Sequence, residues 1–248
     1  MTLTRAMVLA AGRGERMRPL TETTPKPLIA VHGVPMIDRI LARLAAARIE
    51  KAVVNLHHLG GKLRSHLSDC PAPPLVFSDE PELLETGGGV KKALPELGPA
   101  PFFVCNGDVV WLDGYQPTLE RLRSYWDPER MDVLLLLQPS PVAVGYDGPG
   151  DFVMDPQGRL RRRREREIAP FTFAGVQVLK PELFATTPDG PFSLNLIYDR
   201  AIERERLYGL RHDGAWYHVG RPEDLERAEL ELRSELGGGR EERMAAQE

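Results

Sequence analysis

Ala6-Met7-Val8-Leu9-Ala10-Ala11-Gly12-Arg13-Gly14-Glu15-Arg16-Met17-Arg18-Pro19 passes without a break from an apolar segment into a loop of small and basic residues. Ala6–Leu9 reads as a buried strand, a short apolar run bounded by a glycine-rich turn. The small residues that follow let backbone N–H groups approach an anion with no Cβ in the way, so Ala11, Gly12, Gly14 and Glu15 are expected in a phosphate-binding loop. A dinucleotide fingerprint would need a third glycine where Met17 stands. A Walker-type loop would need Gly-Lys followed by Ser or Thr, and the loop has neither.

Working outward, short β-rich runs alternate with helical patterns, the sequence form of a parallel sheet flanked by helices. Met36, Ile37, Ile40, Leu41, Leu44 and Ala45 recur at three and four after Pro35, which predicts a helix with one apolar face. Ala52–Leu56 and Leu75–Phe77 read as strands, Gly89–Leu94 as a short helix, and Phe102–Cys105 as a buried strand ending in Asn106-Gly107-Asp108. Ligands of open α/β sheets gather at the carboxyl ends of the strands, so the loop at Gly12–Arg16 and the segment Asn106–Asp108 are expected to face one cleft. Leu134–Leu137 continues the sheet.

Beyond it the strands shorten: Asp151–Met154, a turn at Asp155-Pro156-Gln157-Gly158, then Thr172–Leu179 predict a smaller antiparallel lobe. Leu194–Glu205 reads as a helix. Leu207–Arg211 and Trp216–Val219 flank Asp213-Gly214 and read as a hairpin. Pro222, Glu223 and Asp224 open a last helix, in which Leu225, Ala228, Leu232 and Leu236 suit core packing or a subunit contact. Residues 1–236 are thus expected to form a single domain, with one half over about 1–138 and a smaller part over about 139–236. Residues 237–248 are expected to be a flexible tail.

Composition narrows the function. With 248 residues, 42% of them hydrophobic, the chain can bury one substantial core, and a formal net charge of −4 offers no basic surplus for nucleic acid. The start lacks the charged and apolar regions of a signal peptide, and no apolar run is long enough to span a bilayer, so a cytoplasmic protein with no membrane partner is expected. Cys70 and Cys105 are the two cysteines; their separation argues against a disulfide framework or zinc site and for reduced thiols.

Thr24-Pro25-Lys26-Pro27-Leu28 places a lysine between prolines whose fixed φ angles stiffen the backbone around it. Gly12-x-Gly14-x-Arg16-x-x-Pro19 together with Pro25-Lys26-Pro27-Leu28 resembles the signature of the sugar-phosphate nucleotidyltransferases. Leu84-Glu85-Thr86-Gly87-Gly88-Gly89 and Asn106-Gly107-Asp108 extend the likeness, which is greatest to N-acetylmuramate-1-phosphate uridylyltransferases, with mannose-1-phosphate guanylyltransferases sharing much of it. The resemblance spans about residues 5 to 230. It implies a Rossmann-like α/β fold with a mixed, mainly parallel sheet and a smaller antiparallel sugar-binding lobe, the nucleotide-diphospho-sugar transferase fold. The activity implied joins a sugar 1-phosphate to a nucleoside triphosphate, with Mg²⁺ as cofactor and pyrophosphate released, by a monomer or homodimer.

By the same resemblance the glycine-rich loop holds the triphosphate, while Arg16 and Lys26 neutralise phosphate oxygens. Nucleotidyl transfer needs in-line approach and charge compensation rather than a covalent nucleophile. Asp108 follows a buried strand and a glycine, so its carboxylate can enter the cleft and hold Mg²⁺ with phosphate oxygens and water. The resemblance assigns Glu80, Thr86 and Gly87 to the base and ribose, Asn106 to the sugar phosphate, and Asp151 and Gly175 to the sugar.

One position departs from the pattern. Many relatives carry an aspartate, a second metal carboxylate, where Trp216-Tyr217-His218-Val219-Gly220 has His218, and imidazole suits Mg²⁺ poorly. Four readings stay open: the metal is held by Asp108, phosphates and water; His218 binds phosphate or sugar; His218 is a hydrogen-bonded structural histidine with no functional contact; or activity is lost, leaving a nucleotide-sugar sensor. An NAD-dependent oxidoreductase is a further alternative, against which Met17 and the proline-flanked Lys26 both count. His57 and His58 point to opposite sides of a strand and make a poor metal pair. Arg161-Arg162-Arg163-Arg164, among Glu165, Arg166 and Glu167, reads as a solvated turn or strand.

Overall fold

A computed structural model of the chain describes residues 3–245, with side chains as far as residue 235. The chain opens with β1 (Arg5–Leu9), α1 (Leu20–Thr23), the short pair β2 (Ala30–Val31) and β3 (Val34–Pro35), and α2 (Met36–Ala46). It continues through β4 (Lys51–Leu56), α3 (Gly60–Leu67), β5 (Leu75–Asp79), α4 (Glu85–Leu97) and β6 (Phe102–Asn106). Next come β7 (Val110–Trp111), α5 (Thr118–Tyr125), β8 (Val133–Pro139), the hairpin β9 (Phe152–Met154) and β10 (Leu160–Arg162), and β11 (Phe171–Leu179). Last are α6 (Asn195–Glu203), β12 (Leu207–Arg211), β13 (Trp216–Tyr217) and α7 (Pro222–Ala245).

One nine-stranded sheet organises the molecule. β1 lies between β4 and β6 and is parallel to both, with β5 beyond β4. β11 then joins β6 antiparallel and carries β8 on its other side. Side chains of β1 and β6 alternate between two cores. Ala6, Val8, Phe103 and Cys105 meet Ile37, Ile40 and Leu44 of α2, whereas Met7, Phe102 and Val104 meet Val90 and Ala93 of α4 and Ile197 of α6. A sheet apolar on both faces has to be covered on both, which is why these strands read as unbroken apolar runs. The mixed, mainly parallel sheet with flanking helices is the expected fold.

Several expectations need correction. β8 continues the sheet as expected, and the antiparallel strands β9, β10 and β11 are joined to that same sheet. The hairpin around Asp213-Gly214 does not form, because β12 runs parallel to β8 at the sheet edge while β13 leaves to pair with β7. Pairing with a buried neighbour such as β8 gives β12 more apolar contact than a local turn could. Helix α4 extends beyond Gly89–Leu94 in both directions. α3 and α5, unmarked by strong periodicity, pack Leu63, Leu67, Leu119 and Leu122 into the core on the α2 side.

Where a tail is expected from residue 237, the backbone remains helical to Ala245, and residues 246–248 lie outside those described. Ala228 and Leu232 of α7 are buried in a third cluster with Met17, Val31, Val110 and Val219. Core packing is therefore the role of these two positions; the side chain of Leu236 lies outside the described residues. Among the described residues no helix is long and apolar enough to cross a membrane.

Candidate active site

The glycine-rich loop leaves the end of β1 and the segment Asn106–Asp108 leaves the end of β6, its immediate neighbour. Between them opens a cleft of about 710 Å³ lined by Ala11, Gly12, Gly14, Glu15, Arg16, Lys26, Thr86, Asn106 and Asp108 among others. Gly14 sits at φ 61, where a side chain is strained, and its carbonyl accepts a hydrogen bond of 2.9 Å from the Thr21 hydroxyl. The turn that follows aims Arg16 into the cleft.

Lys26 begins a single 3₁₀ turn after Pro25 and is only 9% exposed. A lysine this buried needs a partner. It has one: Nζ lies 2.5 Å from Oδ2 of Asp108, whose side chain remains 36% exposed. The carboxylate thus bridges the buried ammonium and the open cleft.

A second cavity of about 270 Å³ adjoins the first, lined by Tyr146, Asp151, Thr172, Phe173, Gly175, Trp216 and His218. Arg16, Lys26, Asn106 and Asp108 line both cavities, forming the seam where they meet. β11 bulges between Phe173 and Gln177, and Gly175 lies in the bulge at φ +79, where a Cβ would stand 2.4 Å from Val109. Its bareness leaves room for the side chain of Asn106 at the seam. Asp151 Oδ2 accepts from the Thr172 hydroxyl at 2.7 Å and from the Phe173 N–H at 2.9 Å, which fixes the carboxylate against the wall of this cavity.

His218 stacks loosely with Trp216 and meets Tyr146 edge-on, ring centroids 5.9 and 6.0 Å apart. Burial lowers its pKa from the ordinary value, Lys26 and Arg16 add to the effect, and Asp224 and Asp108 oppose it. The imidazole is therefore neutral at neutral pH, with a donor and an acceptor nitrogen.

Glu80 and Gly87 line neither cavity. Glu80 is buried and accepts from Asn55 Nδ2 at 2.7 Å and from the Leu84 N–H at 3.0 Å. Gly87 packs against Phe192, whose carbonyl accepts its N–H at 2.8 Å. Their contacts hold neighbouring segments in place. Asn55, overlooked in the sequence, lines the first cavity and accepts from the Ala10 N–H at 2.7 Å, tying the glycine-rich loop to β4. Its signal is an amide inside the apolar run Ala52–Leu56, since a buried amide must be hydrogen-bonded. Tyr146, Thr172 and Trp216 carry no local signal of a shared site, because the bulge in β11 and the pairing of β13 with β7 bring them together.

His57 and His58 bond to backbone carbonyls, of Glu80 at 2.8 Å and Thr21 at 2.9 Å, and not to each other. No group of three or more His, Cys, Asp or Glu among the described residues could hold a metal ion alone. Asp108 nevertheless fits Mg²⁺, which commonly takes one or two protein carboxylates and fills its shell with phosphate oxygens and water.

A glycine-rich loop, two cations and a carboxylate at the carboxyl edge of a doubly covered sheet define a phosphate-handling α/β protein. Residues 6–144 match the family described as the MobA-like NTP transferase domain, and the chain belongs to that family. It is 44% identical over 232 residues to the N-acetylmuramate alpha-1-phosphate uridylyltransferase of Caulobacter vibrioides, covering 92% of this chain and 96% of the relative. With the protein of the same name from Neisseria meningitidis serogroup B it shares 38% identity, covering 87% and 93% of the two chains. The fold is shared with a putative glucose-1-phosphate thymidylyltransferase from Bacillus anthracis, at a TM-score of 0.75 and 20% identity over 92% of this chain and 95% of that one.

Proposed function

We propose that this chain is a sugar-1-phosphate nucleotidyltransferase that condenses N-acetylmuramate 1-phosphate with UTP, giving a UDP-sugar for cell-wall precursor metabolism and pyrophosphate. The observation that carries the reading is the seam: Arg16, Lys26, Asn106 and Asp108 line both cavities at once. Two substrates lying one in each cavity would place their phosphates at these residues. Both relatives named as N-acetylmuramate alpha-1-phosphate uridylyltransferases cover most of the chain, which supports the choice of sugar and base.

In this reading the backbone of the loop at Ala11, Gly12 and Gly14 receives the triphosphate, with Glu15 beside it and Thr86 across the cleft. A phosphate oxygen of the sugar 1-phosphate attacks the α-phosphorus of UTP. The new P–O bond forms as the bond to the β-phosphoryl oxygen breaks, and pyrophosphate leaves on the opposite side. Arg16 and Lys26 offset the charge spreading over the phosphate oxygens. Asp108 would hold Mg²⁺, which as a bound Lewis acid neutralises phosphate charge. Asn106 meets the sugar phosphate, and Asp151, Gly175 and neutral His218 face the sugar.

The test is a matrix of nucleoside triphosphates against sugar 1-phosphates, scored by pyrophosphate release with Mg²⁺ present. The highest kcat/KM is expected for UTP with N-acetylmuramate 1-phosphate. Preference for GTP with mannose 1-phosphate would reassign the substrates, and tight nucleotide-sugar binding with no turnover anywhere would make the chain a sensor.

A further inference from the structure

The arginine run at Arg161-Arg162-Arg163-Arg164 remains outside the chemistry above, yet it does not simply trail into solvent. A third cavity, of about 320 Å³, is lined by Asp151, Arg162, Arg163, Arg164 and Glu165. Asp151 also lines the second cavity, so the two share a wall on the side where the sugar is placed.

The arginines divide into two kinds. Arg161 is held by Glu167 through paired contacts of 2.8 and 2.7 Å, and Arg162 by Asp199 at 2.5 Å and Asn195 at 3.0 Å. Arg163 and Arg164 have no carboxylate partner among the described residues.

Their backbone is nonetheless anchored. The Arg163 N–H donates to the carbonyl of Asp151 at 3.0 Å, and the Arg164 N–H donates to Glu167 Oε2 at 2.7 Å. Arg166 takes φ 61 to close the turn. Glu167 is kept ionised by Arg161 and the Arg164 N–H, which hold its pKa down to about 2. Two guanidinium groups without an ion-pair partner, on a turn whose backbone is held at both ends, can act together as an anion receptor, since less backbone freedom is lost when a ligand binds.

The acids in the cavity do not pair with these cations. Asp151 Oδ2 is held by Thr172 and Phe173, and among the described residues neither Asp151 nor Glu165 forms an ion pair with Arg163 or Arg164. A guanidinium matches a carboxylate in plane and in donor spacing.

The geometry points to Arg163 and Arg164 as a specificity element that reads a carboxylate on the sugar ring of the sugar 1-phosphate, a substituent reaching past Asp151 from the second cavity into the third. The inference rests on the assignment of the second cavity to the sugar. It selects acidic sugar phosphates over neutral ones of the same ring, and N-acetylmuramate, with its ether-linked carboxylate, is such an acid.

The test compares wild-type protein, R163A/R164A and R163K/R164K with UTP and either N-acetylmuramate 1-phosphate or N-acetylglucosamine 1-phosphate, which lacks the acid. Both positions are exposed, so the variants are expected to fold. In R163A/R164A the KM for the acidic sugar should rise roughly tenfold at low salt, with kcat, the KM for UTP and turnover of the neutral sugar little changed. The lysine pair should recover part of the loss, and added salt should narrow the gap between wild type and R163A/R164A.

Equal effects on both sugars, or no effect on the acidic one, would overturn the inference while leaving wild-type turnover, and with it the proposed function, standing. Wild-type protein active only on neutral sugar 1-phosphates, or on none, would overturn both.

Discussion

Asp108 and Lys26 share one ion pair but stand differently toward water. Lys26 is 9% exposed, and the Asp108 side chain is 36% exposed. Asp108→Asn removes the charge that offsets a buried ammonium, and a fold weakened by about 1–2 kcal/mol is expected from urea denaturation, well short of unfolding. Lys26→Ala leaves a carboxylate that water can reach, so its stability should stay close to that of the wild type. Both variants should lose about 10²-fold to 10³-fold in kcat for pyrophosphate release, since each removes a charge from the transferring phosphates. Near-normal turnover in Asp108→Asn would remove the metal assignment, and in Lys26→Ala it would remove the phosphate role. Both residues were legible in the sequence: a lysine locked between prolines and an acid just past a buried strand are local patterns. Asn55 was not legible as part of the site, because its partner Glu80 comes from the segment after a different strand.

At the scale of elements, the glycines at the start of α4 act by close approach. A Cβ on Gly88 would lie 2.3 Å from the Gly190 carbonyl oxygen, a backbone atom with little freedom to retreat. Glycine to alanine inside a helix ordinarily gains about 1 kcal/mol; here overpacking should outweigh it, leaving Gly88→Ala less stable by about 1–3 kcal/mol in urea denaturation. A more stable variant would show that the segment around Gly190 yields. This contact also explains why the glycine run is helical although its propensity is poor: α4 has to lie close to residues 190–192.

His212, at the end of β12, is 1% exposed, and burial lowers its pKa from the ordinary value, with Arg121 adding to the effect and Ala215, Asp213 and Asp113 opposing it. The unfolded chain therefore takes up the proton first as pH falls below about 6.5, and stability should decline from there toward the lower folded-state value. Melting temperatures between pH 7.5 and 5 should record that slope, and it should be shallower in His212→Asn. An unchanged slope would place the acid sensitivity elsewhere.

At the scale of the whole molecule, one sheet is covered on both faces with its carboxyl edge open to the cleft, so a thiol inside a strand is shielded and one in a connecting segment is not. Cys105, in β6, is buried and its thiol is pushed up to about 12, whereas Cys70 is partly exposed. A thiol reagent should label Cys70 in the native protein and reach Cys105 only after denaturant is added. Rapid labelling of Cys105 without denaturant would mean that β6, the strand presenting Asn106 and Asp108, opens under native conditions.

From the sequence alone came the main strands through Phe102–Cys105 with α2 and part of α4 among them, the glycine-rich loop and the proline-flanked lysine beside the cleft, and the acid that faces them. Each of these depends on side-chain periodicity or on residues a few positions apart. Only the tertiary structure decided that the antiparallel strands continue the central sheet, that β12 and β13 part company, that Glu80 supports Asn55 from within the core, and that Tyr146, Trp216 and His218 wall a second cavity. Those outcomes depend on which apolar edges pair across distant stretches of chain, and the energy of such pairing comes from packing that no local pattern encodes.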